Sequence, residues 1–272
     1  MINIPKDAQN EIRSGMSGGD YIELPFFAPF FYWTRGDPNA ALTGSSAAHF
    51  GGWSSSAQGI DQNFDTVPPG LVKEQRSGTD GMYEVYSTRY LTVALIAQRK
   101  RWAYANEADT RGRSHAQYLC LAANFDKQRK EYVPWTFPVV LSLKGMVTVD
   151  FEKVVKTWEK ETANHRKMWA DGGHASFFWM TVGTFGQQRQ DKQVGKTQKS
   201  YITPPQLYIP FGGNAEAWEQ EQFIDLYVGD TEVNSMIDVK RAADEWLRAW
   251  KEAAASRPEK QQSSSGDDDM PF

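Results

Sequence analysis

The chain reads as an α+β protein that is mainly β, on three observations. Its middle third holds runs of β-branched and aromatic residues of strand length, such as Tyr83 to Gln98. One stretch, Asp150 to Ala170, carries the clearest helical repeat of apolar residues. The runs also come in a telling order: three strands, a helix, then a two-strand hairpin. With 272 residues, 40% of them apolar, the chain can bury one large core or two small ones.

Taken in order, residues 1–20 are polar, Gly/Ser-rich and without period, so they are expected to form a flexible arm. Tyr21 to Trp33 is dense in aromatics and contains two prolines, which suits an edge strand or an extended segment. Residues 35–81 are rich in Gly, Ser, Asn and Asp and read as long irregular structure. Tyr83 to Gln98 is the first strand, and Arg99 to Arg113 a basic connection. Ser114 to Phe125 is the second strand, with a basic turn at Asp126 to Lys130. Tyr132 to Leu143 is the third, made irregular by Pro134 and Pro138.

On the helix, Phe151, Val154, Val155, Trp158, Thr162, His165 and Trp169 share one face. Asp150 suits its N-cap and Gly172-Gly173 its stop. Ser176 to Gln188 and Thr197 to Ile209 form the arms of a hairpin with a basic tip. Asn214 to Tyr227 and Asp238 to Ala255 follow as helices. Residues 256–266 are a Ser/Gln-rich linker, expected to be flexible, and 267–272 a distinct tip; residues 21–255 are then one domain.

The element order matches an OB-like five-stranded barrel, elaborated by an N-terminal extension and C-terminal helices. That fold binds oligonucleotides beside the loops after its first and fourth strands. Here those loops are Arg99 to Arg113 and the hairpin tip, two of the most basic connections in the chain.

Composition narrows the function. A single cysteine, Cys120, excludes a disulfide framework and suits a reducing, cytoplasmic compartment. The four histidines lie far apart, without metal-ligand spacing, so no metal or cofactor is expected. No signal peptide or bilayer-spanning run is visible, and no membrane partner is expected. The net charge of −4 is unevenly spread: residues 86–130 carry nine bases against three acids, and residues 216–252 carry ten acids against four bases. A basic binding surface beside a separate acidic element would produce this pattern.

The last residues are Asp267, Asp268, Asp269, Met270, Pro271 and Phe272. An acidic run ending in apolar-Pro-Phe resembles the C-terminal tip of bacterial single-stranded-DNA-binding proteins, with Met270 where Ile is usual. The resemblance implies that these six residues bind partners in DNA replication, recombination and repair, and that the chain itself binds single-stranded DNA. The long segment before the first strand, the added helices and the short linker depart from that family. They point to a divergent relative of the kind carried by phages or mobile elements.

Non-specific single-strand binding needs cations for phosphates and aromatic faces for bases. The candidates are Arg99, Lys100, Arg101, Trp102, Tyr104, Arg111 and Arg113 in the first connection, then Lys127, Arg129, Lys130, Trp135 and Phe137, with Tyr132 among them. Arg189, Lys192, Lys196 and Lys199 of the hairpin tip complete the set. No Walker loop, Gly-x-Ser-x-Gly or His-Glu-x-x-His motif is present, so no catalytic residue is assigned and no enzyme is expected. The alternative is an enzyme or recombination accessory factor that uses the same tip to reach the same partners; an RNA-binding module is a third class. Homo-oligomerisation is compatible with all three.

Overall fold

A computed structural model describes residues 23–35, 51–78, 81–103, 113–171, 173–185, 192–194, 200–211 and 215–255. Its centre is one mixed ten-stranded sheet, not the five-stranded OB-like barrel that the element order suggests. Three strands precede the first of the predicted ones: β1 (Phe30–Thr34), from the aromatic segment that suits an edge strand but here lies inside the sheet, and β2 (Gly52–Ser56) and β3 (Val72–Gly78), from a stretch that reads as irregular. β2 is Gly-Trp-Ser-Ser-Ser, yet its first four residues are buried, and the fully buried Trp53 holds it in place. A short helix, α1 (Ala57–Asn63), follows β2.

The first predicted strand is two strands and extends further than its apolar content suggests. β4 (Gly81–Thr88) and β5 (Tyr90–Ala103) are separated only at Arg89, and β5 runs through Arg99, Lys100, Arg101 and Trp102. These four are therefore ladder residues, not a loop. β6 (Arg113–Asp126) is the second predicted strand, and it returns antiparallel to β5. The third predicted strand divides into β7 (Glu131–Pro134) and β8 (Val139–Lys144). β9 (Met180–Gly183) and β12 (Gln206–Tyr208) pair antiparallel as the base of the predicted hairpin, with β10 (Lys192–Val194) and β11 (Ser200–Ile202) paired further out. The strand order is β12-β9-β5-β6-β8-β1-β2-β4-β3, with β7 beside β6; β1 and β8 are parallel, and the other pairs antiparallel.

The sheet curls back on itself at Arg89. There the chain passes from β4, which pairs with β2, into β5, which pairs with β9. Gly52 and Gly183 flank this corner. A Cβ on Gly52 would lie 2.4 Å from the Thr88 carbonyl oxygen, and one on Gly183 would lie 2.2 Å from that of Arg89. Glycine is required at both because backbone meets backbone. Hydrogen bonds then cross the roll: Trp53 Nε1 donates to Val182 O (3.0 Å), Thr184 Oγ1 to Gly51 O (2.8 Å) and Trp33 Nε1 to Thr203 O (2.7 Å).

The inner face of the roll is packed by α2 (Met146–Trp169), the longest of the described helices. It begins before Asp150, which is a buried residue within it and not its N-cap; Gly145, at φ 64°, occupies that position. Phe151 of α2 meets Trp53 and Tyr118 with ring centroids 6.0 and 4.7 Å away. Leu91, Val93, Leu141, Leu143, Met180 and Val182 belong to the same core. His165 packs between the rings of Trp169 and Trp218 at 4.7 and 5.5 Å.

The predicted C-terminal helices are shorter and shifted: α3 (Gln220–Ile224), α4 (Asp230–Ala242) and α5 (Asp244–Ala255). α4 and α5 lie on the outer face, where Met236, Ala243 and Trp246 pack on Ala94, Leu119, Leu121 and Val140. No helix among the described residues is long and apolar enough to cross a membrane.

Replacing Gly183 with Ala should cost about 1–3 kcal/mol, as overpacking does, because the new methyl meets the Arg89 and Tyr90 backbone. Gly59→Ala is the control: its Cβ enters open space within α1, and helix propensity favours Ala. Urea unfolding of the two variants should therefore move in opposite directions. Equal midpoints would mean that the corner is not under steric constraint.

Candidate nucleic-acid interface

Side chains alternate across each strand, so register decides which residues share a face. Tyr90 and Thr92 of β5 point outward together, and Thr92 Oγ1 lies 2.8 Å from Thr181 Oγ1 of β9. Tyr208 of β12 pairs with Thr181, and Ala123 of β6 pairs with Thr92. Two residues beyond Ala123 is Phe125, opposite Tyr132 of β7. All of these lie on the outer face, where Ala123 is buried in the cluster that includes Met236 of α4 and Tyr132 packs against it, while Tyr90, Phe125 and Tyr208 stay exposed.

The result is an aromatic surface. The rings of Tyr90 and Phe185 stack with centroids 6.0 Å apart and planes 21° from parallel. Phe185 and Tyr208 follow at 5.5 Å. Phe125 and Tyr132 are 5.1 Å apart, and Tyr132 reaches the buried Trp179 at 6.1 Å. Tyr90, Tyr208 and Phe125 are 54%, 48% and 46% exposed. Burial, with Tyr208 and Asp225 nearby, pushes the Tyr132 hydroxyl up to about 12.

The turn between β6 and β7 borders Phe125 and presents Lys127, Arg129 and Lys130, all exposed. Asp126 shapes it by accepting from the backbone N–H groups of Gln128 (2.8 Å) and Arg129 (3.2 Å). Those bonds, Arg129's first, lower its carboxyl below the usual range. Lys130 takes a left-handed conformation, φ 58°, which closes the four-residue loop. Arg129 lies 3.8 Å from Asp126 and 3.5 Å from Glu131 while 72% of its side chain stays exposed.

Of the residues singled out in the sequence, these three basic ones are brought to the aromatic face. Arg99 is not. A bulge between Leu95 and Ala97 turns Arg99 and Arg101 to the outer face beneath α5. The Arg99 guanidinium is buried between Trp246 and Trp250, 3.5 and 4.2 Å from their ring centroids. It donates to Gln117 Oε1 (2.8 Å) and Trp246 O (2.7 Å). Arg101 sits 4.5 Å over Trp250. The adjacent His115 is fully buried, and burial with Lys144, Arg101 and Arg99 around it lowers its pKa to about 3.

Lys100 faces the other way and pairs with Glu152 of α2 at 2.7 Å. Trp135 is a core residue, not a stacking platform: its backbone returns to Ala122 O (2.8 Å), and its ring meets Phe31 and Phe64. Phe137 likewise packs edge-on against Phe27 and Phe64 at 5.5 and 5.4 Å. Trp102 and Arg113 lie near the far end of the β5–β6 hairpin from Tyr90, about 40 Å away at strand rise; their side chains fall outside the described residues. So do Tyr104, Arg111, Arg189, Lys196, Lys199, the side chain of Lys192, and the tip from Asp267 to Phe272. The segment containing Arg189 to Lys199 leaves the sheet next to Phe185 and rejoins it before Tyr208.

Sequence reasoning missed Tyr90, Phe125, Phe185 and Tyr208. Their only signal is position: Tyr90 and Phe125 sit at the ends of strands, and Phe125 directly precedes a basic turn. Comparison with known proteins found no matching family model, no matching curated protein and no matching solved structure.

Arg99 thus holds α5 to the sheet. Arg99→Lys should lower stability by about 1–3 kcal/mol, since Lys cannot fill the slot between two indoles or reach both acceptors. The same variant should leave the salt dependence of any nucleic-acid binding unaltered. A flattened salt dependence at full stability would return Arg99 to the role read from its charge.

Proposed function

We propose that this chain binds single-stranded DNA without strong sequence preference on the outer aromatic face, and recruits replication, recombination and repair proteins through its C-terminal tip. The observation that carries the first half is the ladder of exposed Tyr90 and Tyr208 with half-buried Phe185 between them, and exposed Phe125 beside half-buried Tyr132, bordered by Lys127, Arg129 and Lys130. A duplex hides its base faces in the stack, whereas an unpaired strand offers them. Rings on an open sheet face can take those bases, and stacking tolerates every base because each has a π-face. The cations of the turn meet phosphates, which sets affinity without reading sequence. The negative net charge is no obstacle, because its acids concentrate in the C-terminal third. The second half rests on the run Asp267 to Phe272. A cytoplasmic setting belongs to the same proposal and suits the single buried thiol.

Titration with labelled oligo-dT, without metal or nucleotide, tests the first half. Tyr90→Ala, Phe185→Ala and Tyr208→Ala should each weaken binding by about 1–3 kcal/mol. Neutralising Lys127, Arg129 and Lys130 should flatten the plot of log affinity against log salt by about 0.7 for each phosphate that the turn no longer neutralises. Competing oligo-rU and duplex should displace the DNA poorly. Affinity that survives all three aromatic changes would exclude this face.

The tip is tested separately. Deleting Phe272 should abolish pull-down of host replication proteins while folding and oligo-dT affinity stay as before, since an aromatic anchor commonly dominates a short-peptide interface. Undiminished recruitment by the truncated chain would show that the C-terminal resemblance carries no function.

A further inference from the structure

The strand order ends on two edges of unequal kind. β12 is three residues long, too short to template another strand. β3 is seven residues, pairs with β4 in unbroken register from Val72 to Gly78, and contains neither a bulge nor a proline. Among the described residues no strand lies along its outer edge. A long regular edge offers a row of backbone donors and acceptors to another strand.

We propose that this chain forms a two-fold dimer in which β3 pairs antiparallel with β3 of a second copy, Gln75 opposite Gln75. Charge selects both the occupant and the register. β3 reads Val72-Lys73-Glu74-Gln75-Arg76-Ser77-Gly78. With the two-fold axis on Gln75, each Glu74 faces Arg76 of the other copy, Lys73 faces Ser77, and Val72 faces Gly78, so all seven residues pair. An axis on Lys73, Glu74 or Arg76 would oppose like charges, an axis on Val72, Ser77 or Gly78 would leave most of the strand unpaired, and an axis between two residues would bring opposite pleats face to face. Directly opposite residues on neighbouring strands interact most strongly, and like charges there are destabilising.

The two charges are already held in place. Arg76 Nη2 lies 2.7 Å from Glu74 Oε1, and Ser87 Oγ accepts from Arg76 (2.9 Å) and donates to Glu74 (2.8 Å). Both side chains are only about one-fifth exposed. A second β3 would complete a square of alternating charges from groups that need no reordering. The ladder at Tyr90 belongs to the other end of the strand order, so this inference is independent of the nucleic-acid reading.

Light scattering of the full chain should give twice its 30.8 kDa mass, with dissociation on dilution. Gln75→Cys should form a disulfide-linked dimer under mild oxidation, since the native Cys120 is buried and does not compete. Val72→Cys, on the same exposed edge, should not, because the two copies of residue 72 lie six residues apart in register, about 20 Å. Arg76→Glu should weaken the dimer about tenfold or more by placing acid opposite acid, and the double change Glu74→Arg with Arg76→Glu should restore it. A monomer at every concentration overturns the proposal and leaves the edge to another segment or partner. So does a dimer that crosslinks through residue 72 as readily as through 75, or whose strength ignores the charge exchange.

Discussion

The contact on which the structure depends is the approach of two glycines to the backbone at Arg89. A sheet of this many strands left open would expose both faces along its length. Here one continuous run of chain turns its corner at Arg89, serving β2 on one side and β9 on the other. That is possible only where Gly52 and Gly183 let backbones meet without side chains between them. From this corner follow the indole hydrogen bonds across the roll, the enclosure of α2, and the placement of Tyr90 and Phe185 immediately beside the bend.

The outer face is then divided between two uses of aromatic residues. Toward one end, Trp246 and Trp250 clamp Arg99 and fasten α5, so a cation that could have met a phosphate is used to hold the fold together. Cation–π contact gains strength when water is excluded, and here the guanidinium is buried. Toward the other end no described helix covers Tyr90 and Tyr208, whose rings are exposed with half-buried Phe185 between them. The same residue types pack in one place and lie open in the other, and among the described residues coverage by α4 and α5 distinguishes them.

Much of the β content was legible. The apolar halves of β5 and β6, the turn at Asp126 to Lys130, the α2 helix and the base of the long hairpin all follow from apolar runs and breakers, while the basic half of β5 does not. The strand count was not, because β2 is built from serines around one tryptophan and is a strand only by virtue of what it packs against. The candidate site was legible in part: the turn that exposes Lys127, Arg129 and Lys130 follows from its charge and breakers, whereas Trp135 and Phe137 pack inward, because an aromatic near basic residues looks the same in sequence whether it faces solvent or core.

By itself the sequence determined which segments can be strands or helices, where charge concentrates, that Cys120 has no second cysteine among these 272 residues, and that an acidic run leads into Met-Pro-Phe at residues 267–272. These are local or additive properties, set by residue type and short spacing. Tertiary structure alone decided which face each side chain occupies. A single bulge between Leu95 and Ala97 reverses the alternation along β5, turning Arg99 and Arg101 under α5 while Lys100 goes to Glu152. Alternation has a period of two residues, so one inserted residue exchanges the faces of everything beyond it, and no local pattern announces that insertion.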